Sequence, residues 1–378
     1  MTLQTLEGKE IVLAVTGSIA AVETVRLAHE LRRRGALVQA VLSGAAASIL
    51  CPDALTYATG HPAITAITGM VEHVLWCGEG GKADLLLVAP CTANTIGKIA
   101  CGIDDTPVTT FATTALGSGV PVVVVPAMHE TMYRHRAVAE NLARLEALGV
   151  TIVPPRIQEG RAKIAETDAI VLEAERAVND KPLAGRRVLI ASGPCRESVD
   201  DVRVLTTRST GLMGRALALE AYRRGAEVTV VHADRFPCVR NVPATSAADM
   251  REAVLAYGGA GGIDIYVSAA AISDFAPERF PGKIPSGAPA TLALEPLPKV
   301  LDEVISRFEP LTIAFKLAKD ADAQAGGLLD RGAALVVANT PETMGASGGT
   351  FALHSARGIR VVEGSKEEVA AAIWSNVP

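Results

Sequence analysis

The sequence predicts an α/β fold of two Rossmann-like domains in succession, each built on a parallel sheet. Short aliphatic runs, the mark of strands buried on both faces, alternate with helical segments along the 378 residues. That length exceeds a usual single domain. A polar, turn-rich stretch from Ala174 to Arg187 (Asn179-Asp180-Lys181-Pro182, then Gly185) breaks the alternation, which then starts again. The boundary therefore falls near residue 180, with domains at 1–178 and 184–378. Composition agrees: 49% apolar and 20% charged residues suit well-buried globular domains, and aromatics are only 4%.

In the first half, Ile11 to Val15 reads as a strand ended by Thr16-Gly17-Ser18. A helix follows to Arg34 and is stopped by Gly35, which tolerates the left-handed cap conformation. Ala36 to Leu42, Asp84 to Ala89 and Pro121 to Val125 are the next buried strands. In the second half, Arg187 to Ala191 is a strand, a helix runs from about Gly211 to Arg224, and Ala226 to His232 is a strand. Ile263 to Ser268, Leu311 to Phe315 and Ala334 to Ala338 add central strands. The stretches Arg32 to Val38 and Arg223 to Val228 echo each other, each with a basic helix end, a cap glycine and a new strand. Basic side chains there complement the helix dipole, so the echo is structural. Such spacing favours right-handed crossovers and open sheets, which bind ligands at the carboxyl ends of their strands.

Several classes of function are disfavoured. Net charge is −5 with no long basic stretch, so no nucleic-acid partner is expected. No apolar run approaches the roughly 20 residues that span a bilayer, and Met1 to Lys9 has no apolar core for a signal peptide. The six cysteines form no Cys-x-x-Cys pair and read as reduced thiols. A cytoplasmic protein without a membrane partner is expected.

Candidate binding turns follow the strands. Gly17-Ser18 offers backbone donors and a hydroxyl suited to a phosphate, or is a plain tight turn; Ser43-Gly44 is a second such place. Ala89 to Thr95 sets small and hydrogen-bonding residues, Thr92, Ala93 and Asn94 among them, at a strand end. Cys91 has no basic neighbour and reads as an inert small thiol. His73, in Glu72-His73-Val74-Leu75-Trp76, stands ahead of a strand and is structural or catalytic. Pro126 to Tyr133 puts His129 at the same sheet edge, and Gly160-Arg161-Ala162-Lys163 is a basic loop able to cover an anion.

In the second half, Ala191 to Asp200 combines Gly193 with Arg196 after a strand. Ser209-Thr-Gly211-Leu-Met-Gly214 opens a helix and either cradles phosphate or caps the helix; it lacks the Gly-Lys-Ser/Thr of a P-loop. Ser268 to Phe275 ends in Asp274, whose hard oxygens suit Mg²⁺ at a triphosphate. Lys283, in the stiff Pro281-Gly-Lys-Ile-Pro loop, suits a transferring phosphoryl group or is a solvated loop lysine.

Taken in order, Gly17-Ser-Ile-Ala-Ala, His73, Ala89-Pro-Cys-Thr-Ala-Asn-Thr and Pro126-Ala-Met-His-Glu-Thr-Met resemble the flavin-binding cysteine decarboxylase family. That family includes phosphopantothenoylcysteine decarboxylase. The resemblance implies a flavodoxin-like, usually trimeric FMN protein. In it the substrate cysteine is oxidised at sulfur, the thioaldehyde loses carbon dioxide, and the reduced flavin returns the hydride. It makes His73 the base, gives Asn94 and His129 substrate-placing roles, and puts Gly17, Ser18, Ser43, Thr92, Ala93 and Thr110 at the FMN.

The second half is similar to phosphopantothenate–cysteine ligases. The likeness rests on Gly193, Arg196-Glu197 and Asp200, Ser209-Thr-Gly211 with Met213-Gly214, Ala270 to Phe275, Lys283, Phe315-Lys316 and Val337-Ala338-Asn339. It implies carboxylate activation by CTP or ATP with Mg²⁺, attack by cysteine, and dimerisation. Gly193, Arg196, Ser209, Gly211, Gly214, Ala271, Asp274, Phe275, Lys283 and Phe315 become the nucleotide residues, with Lys283 catalytic and Asp274 at the metal.

The order is that of bifunctional fusions in coenzyme A biosynthesis. Their substrates are 4′-phosphopantothenate, cysteine and a nucleoside triphosphate, and trimers of one domain with dimers of the other close into a larger homo-oligomer, up to a dodecamer. Departures stand at His129, where the family usually has Asn, at Thr207 for Asn, at Leu212 for Lys, and in the lack of a flap cysteine between Val150 and Glu166. They fit an archaeal-type branch. The rivals are a flavoprotein of the same fold with another substrate, such as a flavin prenyltransferase, and a non-catalytic or single-activity subunit.

Overall fold

The computed structural model describes residues 3–158, 161–287 and 289–377. The chain divides into two compact units, Thr2–Asp180 and Lys181–Pro378.

The first unit carries β1 (Glu10–Val15), β2 (Leu37–Leu42), β3 (Leu85–Cys91), β4 (Val122–Pro126), β5 (Met128–His129), β6 (Thr151–Ile152), β7 (Arg156–Gln158) and β8 (Arg161–Lys163). Its main sheet has the order β2-β1-β3-β4-β6 and is parallel throughout. Alternate residues serve opposite layers. Ile11, Leu13, Val15, Leu85 and Leu87 join the layer of Leu27, Leu31 and Ile170. Val12, Ala14, Leu86, Val88 and Val124 join the layer of Ile96, Phe111, Leu142 and Leu145. The order in which strands are added reverses between β1 and β3, the switch point where such parallel sheets open a crevice.

The second unit adds β9 (Arg187–Ala191), β10 (Arg196–Ser198), β11 (Val204–Thr206), β12 (Glu227–His232), β13 (Arg240–Pro243), β14 (Ile265–Ser268), β15 (Phe275–Pro277) and β16 (Leu294–Pro296), followed by β17 (Leu311–Leu317), β18 (Leu335–Asn339), β19 (Gly348–Ser355) and β20 (Gly358–Ser365). The main sheet order is β13-β12-β9-β14-β17-β18-β19-β20. It is parallel as far as β18, but β19 and β20 return antiparallel, so the sheet is mixed rather than wholly parallel. Only two residues, Ala356 and Arg357, separate β19 from β20, a loop length that joins antiparallel strands and no others. The last helix, Lys366–Ser375, is fastened to the helix Leu212–Arg223 by Trp374, whose indole N–H donates to the Leu217 carbonyl at 3.0 Å.

Two local expectations are corrected. His73 lies on a six-residue helix, Glu72–Cys77, rather than ahead of a strand. Ala162 and Lys163 belong to β8, which pairs with β5 and β7, so that part of the expected loop is a strand; Gly160 lies outside the described residues.

Phe111 is fully buried among Ile96, Val124 and Leu145. Phe111→Ala is expected to destabilise the first unit by about 3–5 kcal/mol, checked by faster exchange of the β3 and β4 amides under native conditions.

Candidate functional site

The first unit has a cavity of about 1030 Å³ at the carboxyl ends of its parallel strands. Each adjoining turn is a helix start. Ser18, Ser43 and Thr92 are N-caps whose hydroxyls accept from the amides of Ala20 (3.4 Å), Ala46 (3.2 Å) and Thr95 (3.3 Å). Thr16 ties two turns together, its hydroxyl donating to the Pro90 carbonyl at 2.8 Å and accepting from the Thr92 amide at 3.0 Å. A Cβ built on Gly17 would fall 2.5 Å from that of Ala45, so only glycine lets these turns close up.

Gly17, Ser18, Ser43, Thr92, Ala93, Asn94 and His129 all line this cavity. Asn94 and His129 are exposed to it from different elements, the helix Ala93–Cys101 and β5. Thr110 is not in the lining: its hydroxyl donates back along its own helix to the Thr106 carbonyl at 3.0 Å. His73 is not in the lining either; its Nδ1 is buried and has no hydrogen-bond partner. Sequence reasoning missed Ile19, Val22 and Met132, apolar side chains left largely exposed beside the cavity. Their signal is an apolar residue on the solvent side of a first helical turn. Burial pushes the Cys91 thiol far up, which agrees with an inert thiol.

In the second unit, a smaller cavity of about 150 Å³ lies beyond the carboxyl ends of β14, β17 and β18. Ser209, Gly211, Gly214, Ala271 and Phe315 line it. Gly211, at φ +71°, is the N-cap of the helix Leu212–Arg223. A Cβ on Gly214 would come within 2.0 Å of the Ser192 hydroxyl oxygen, so the helix rests directly on the end of β9. Gly193, at φ +83°, accepts from the Ala271 amide at 2.9 Å, joining two strand-end loops. Gly193, Arg196, Asp274, Phe275 and Lys283 are outside the lining. Asp274 is ion-paired with Lys299, and among the described residues no group of three or more His, Cys, Asp or Glu could hold a metal ion. Sequence reasoning missed Thr343, Phe351 and Lys366 in this wall, because their loop and hairpin lie far along the chain.

Asp200, matched by sequence without a role, anchors the Lys283 loop. Its buried carboxylate accepts from the amides of Ile284 (3.0 Å), Val202 (2.8 Å) and Arg203 (2.6 Å) and pairs with the Arg203 guanidinium. Burial works against its charge, but these partners outweigh burial and hold the carboxyl well below the usual carboxylate range. Its contribution is therefore present above the ordinary carboxylate pKa of about 4 and lost as pH falls further. Asp200→Asn is expected to release the turn, read as several-fold faster tryptic cleavage at Arg279 and Lys283.

Two family models match the chain: Flavoprotein over residues 1–179, and DNA/pantothenate metabolism flavoprotein C-terminal domain over residues 183–378. Among curated proteins, the coenzyme A biosynthesis bifunctional protein CoaBC of Thermococcus kodakarensis is 46% identical over 353 residues, covering 90% of this chain and 87% of that protein. The CoaBC protein of Methanocaldococcus jannaschii is 37% identical over 323 residues, 84% and 78% of the two chains. A crystal structure of the C-terminal domain of a CoaBC protein matches with a TM-score of 0.44 and 30% identity, covering 52% of this chain and 96% of that one. With both domain models in sequence and a relative of this identity over most of its length, the chain belongs to the CoaBC family of bifunctional coenzyme A biosynthesis proteins.

Proposed function

We propose that the second unit joins cysteine to 4′-phosphopantothenate, driven by CTP or ATP with Mg²⁺, and that the first unit decarboxylates the product to 4′-phosphopantetheine. One observation carries this reading. Each of the two family matches contains a sheet whose parallel strands end at a cavity on their carboxyl side, lined by residues of the motifs. No helix of the described residues is long and apolar enough to cross a membrane. The proposed location is the cytoplasm, where the substrates are small and soluble.

The first cavity suits FMN. Its volume is at the upper end for cofactor pockets, Ile19, Val22, Met128 and Met132 offer apolar surface to a flat ring, and the turns at Gly17, Ser43 and Thr92 suit a phosphate. Bound FMN supplies the two-electron acceptor without which loss of carbon dioxide leaves an unstabilised carbanion. Asn94 and His129 hold the departing carboxylate by hydrogen bonds; histidine at 129 donates as the usual amide does.

His73 acts as the base from a second copy of the chain. Its own helix and the preceding loop expose Met70, Val71, Val74 and Leu75, an apolar face that a neighbouring first unit would cover. The trimer then completes each cavity.

In the second unit, Ser209, Gly211, Gly214, Ala271 and Phe315 surround the nucleotide, with Gly193 holding the Ala271 loop from outside the lining. Arg196, Asp274 with Mg²⁺, Phe275 and Lys283 close on its phosphates from loops outside the lining. A carboxylate is too poor an acceptor for an amine, so it must first be activated, in this reading as the acyl-nucleotide. A ligase-only reading is favoured by one feature, the absence of any cysteine between Val150 and Glu166, the segment of β7 and β8.

The deciding experiment supplies purified protein with phosphopantothenate, cysteine, Mg²⁺ and either CTP or ATP, with products read by mass spectrometry. Phosphopantetheine and carbon dioxide are expected. Accumulation of phosphopantothenoylcysteine selects the ligase-only reading, and no product in flavin-loaded, folded protein defeats both. His73→Ala is expected to abolish carbon dioxide release and spare ligation; equal loss of both activities would remove His73 from its role. Lys283→Ala is expected to do the converse, sparing decarboxylation of supplied phosphopantothenoylcysteine.

A further inference from the structure

Among the described residues lining the second cavity, only one side chain is charged: Lys366. It opens the last helix, just after the Ser365 cap. Its ammonium lies 4.7 Å from the centre of the Phe351 ring and donates to the Thr343 carbonyl at 3.1 Å. None of the ion pairs among the described residues includes it. An ammonium has three donors, and one carbonyl with one ring face leaves a donor for the cavity. Burial lowers its pKa with no carboxylate opposing the shift, so the ammonium lacks a counter-ion that a bound anion would supply.

Across the cavity stands the Ser209–Gly214 turn. It begins a twelve-residue helix, whose first amides lack intrahelical acceptors. The turn itself carries no cation, since Leu212 occupies its centre and lines the cavity. The two walls come close: a Cβ on Gly345, two residues beyond Thr343, would lie 3.7 Å from the Thr210 methyl. An anion bound at the turn's amides would therefore share this small cavity with Lys366.

We propose that Lys366 is a nucleotide-binding residue, its ammonium contacting a phosphate of the nucleoside triphosphate from the wall opposite the Ser209–Gly214 turn. This rests on the reading of the cavity as the nucleotide site. The apolar remainder of the lining, Ala269 to Ala271, Phe315 and Leu317, offers surface to part of the nucleotide beside that phosphate, the cavity being too small to enclose the whole of it. The phosphate of phosphopantothenate has the same chemistry, and the test separates the two.

Titration calorimetry of the full chain with Mg²⁺–CTP, Mg²⁺–ATP and phosphopantothenate, each alone, compares wild type with Lys366→Met and Lys366→Arg. Lys366→Met is expected to weaken the accepted nucleotide at least about tenfold, the scale of a lost charged hydrogen bond. Lys366→Arg recovers most of the affinity, and phosphopantothenate binding is unchanged. Equal nucleotide affinity in wild type and Lys366→Met overturns the inference and leaves the site reading standing. A loss confined to phosphopantothenate overturns the assignment to the nucleotide. Wild type that binds neither nucleotide overturns the site reading and the inference together. Should Lys366→Met fail to fold, acetylation of wild-type Lys366 with and without bound nucleotide decides: protection supports the contact, and equal rates refute it.

Discussion

A strand buried on both faces has nowhere to present a polar group except at its end, and both units of this protein are arranged by that constraint. β3 and β4 are buried at every residue, and β1 at all but its first. Chemistry is therefore expelled to the carboxyl edge, where the chain must turn into a helix and find acceptors for that helix's first amides. Ser18, Ser43 and Thr92 answer this need as caps, and in doing so line one cavity from three successive strands. The second unit repeats the logic with glycines, Gly193 and Gly211 taking left-handed conformations where its strands end.

What the amino-acid sequence discloses follows from how local each signal is. Aliphatic runs mark most of the parallel strands to within two residues, because burial on both faces leaves few polar interruptions; Arg187–Ala191 is an instance, whereas the poorly buried edge strands β6 and β13 carry no such run and are missed. The turns after those strands are equally legible, since a helix start needs a cap and a tight approach needs glycine. β19 and β20 are not legible in this way. In β19 only Phe351, Leu353 and the polar His354 are buried, and β20 is mostly exposed, so neither reads as an aliphatic run.

Residues that act at a distance from their sequence neighbours are hidden for a different reason. Asp200 matters through Ile284, and Lys366 through Thr343 and Phe351, contacts that no window of the sequence brings together. Thr110 shows the opposite case. It stands near Thr106, which does line the first cavity, but one turn of helix satisfies its hydroxyl internally. His73 stands between these extremes, a prominent residue absent from the lining of its own unit's cavity.

The glycines of the two cavities are under a double obligation. Gly17 is pressed against Ala45, and Gly214 against Ser192, so a methyl group at either place strains the packing before any ligand arrives. Lys283 is exposed on a surface turn and bears no such burden. In a lineage freed from selection on catalysis, these two classes decay at different rates: the surface lysine drifts early, while the glycines persist as long as the chain must fold. Glycines so placed are thus a record of foldedness, and any history of the chemistry is written in the side chains around them.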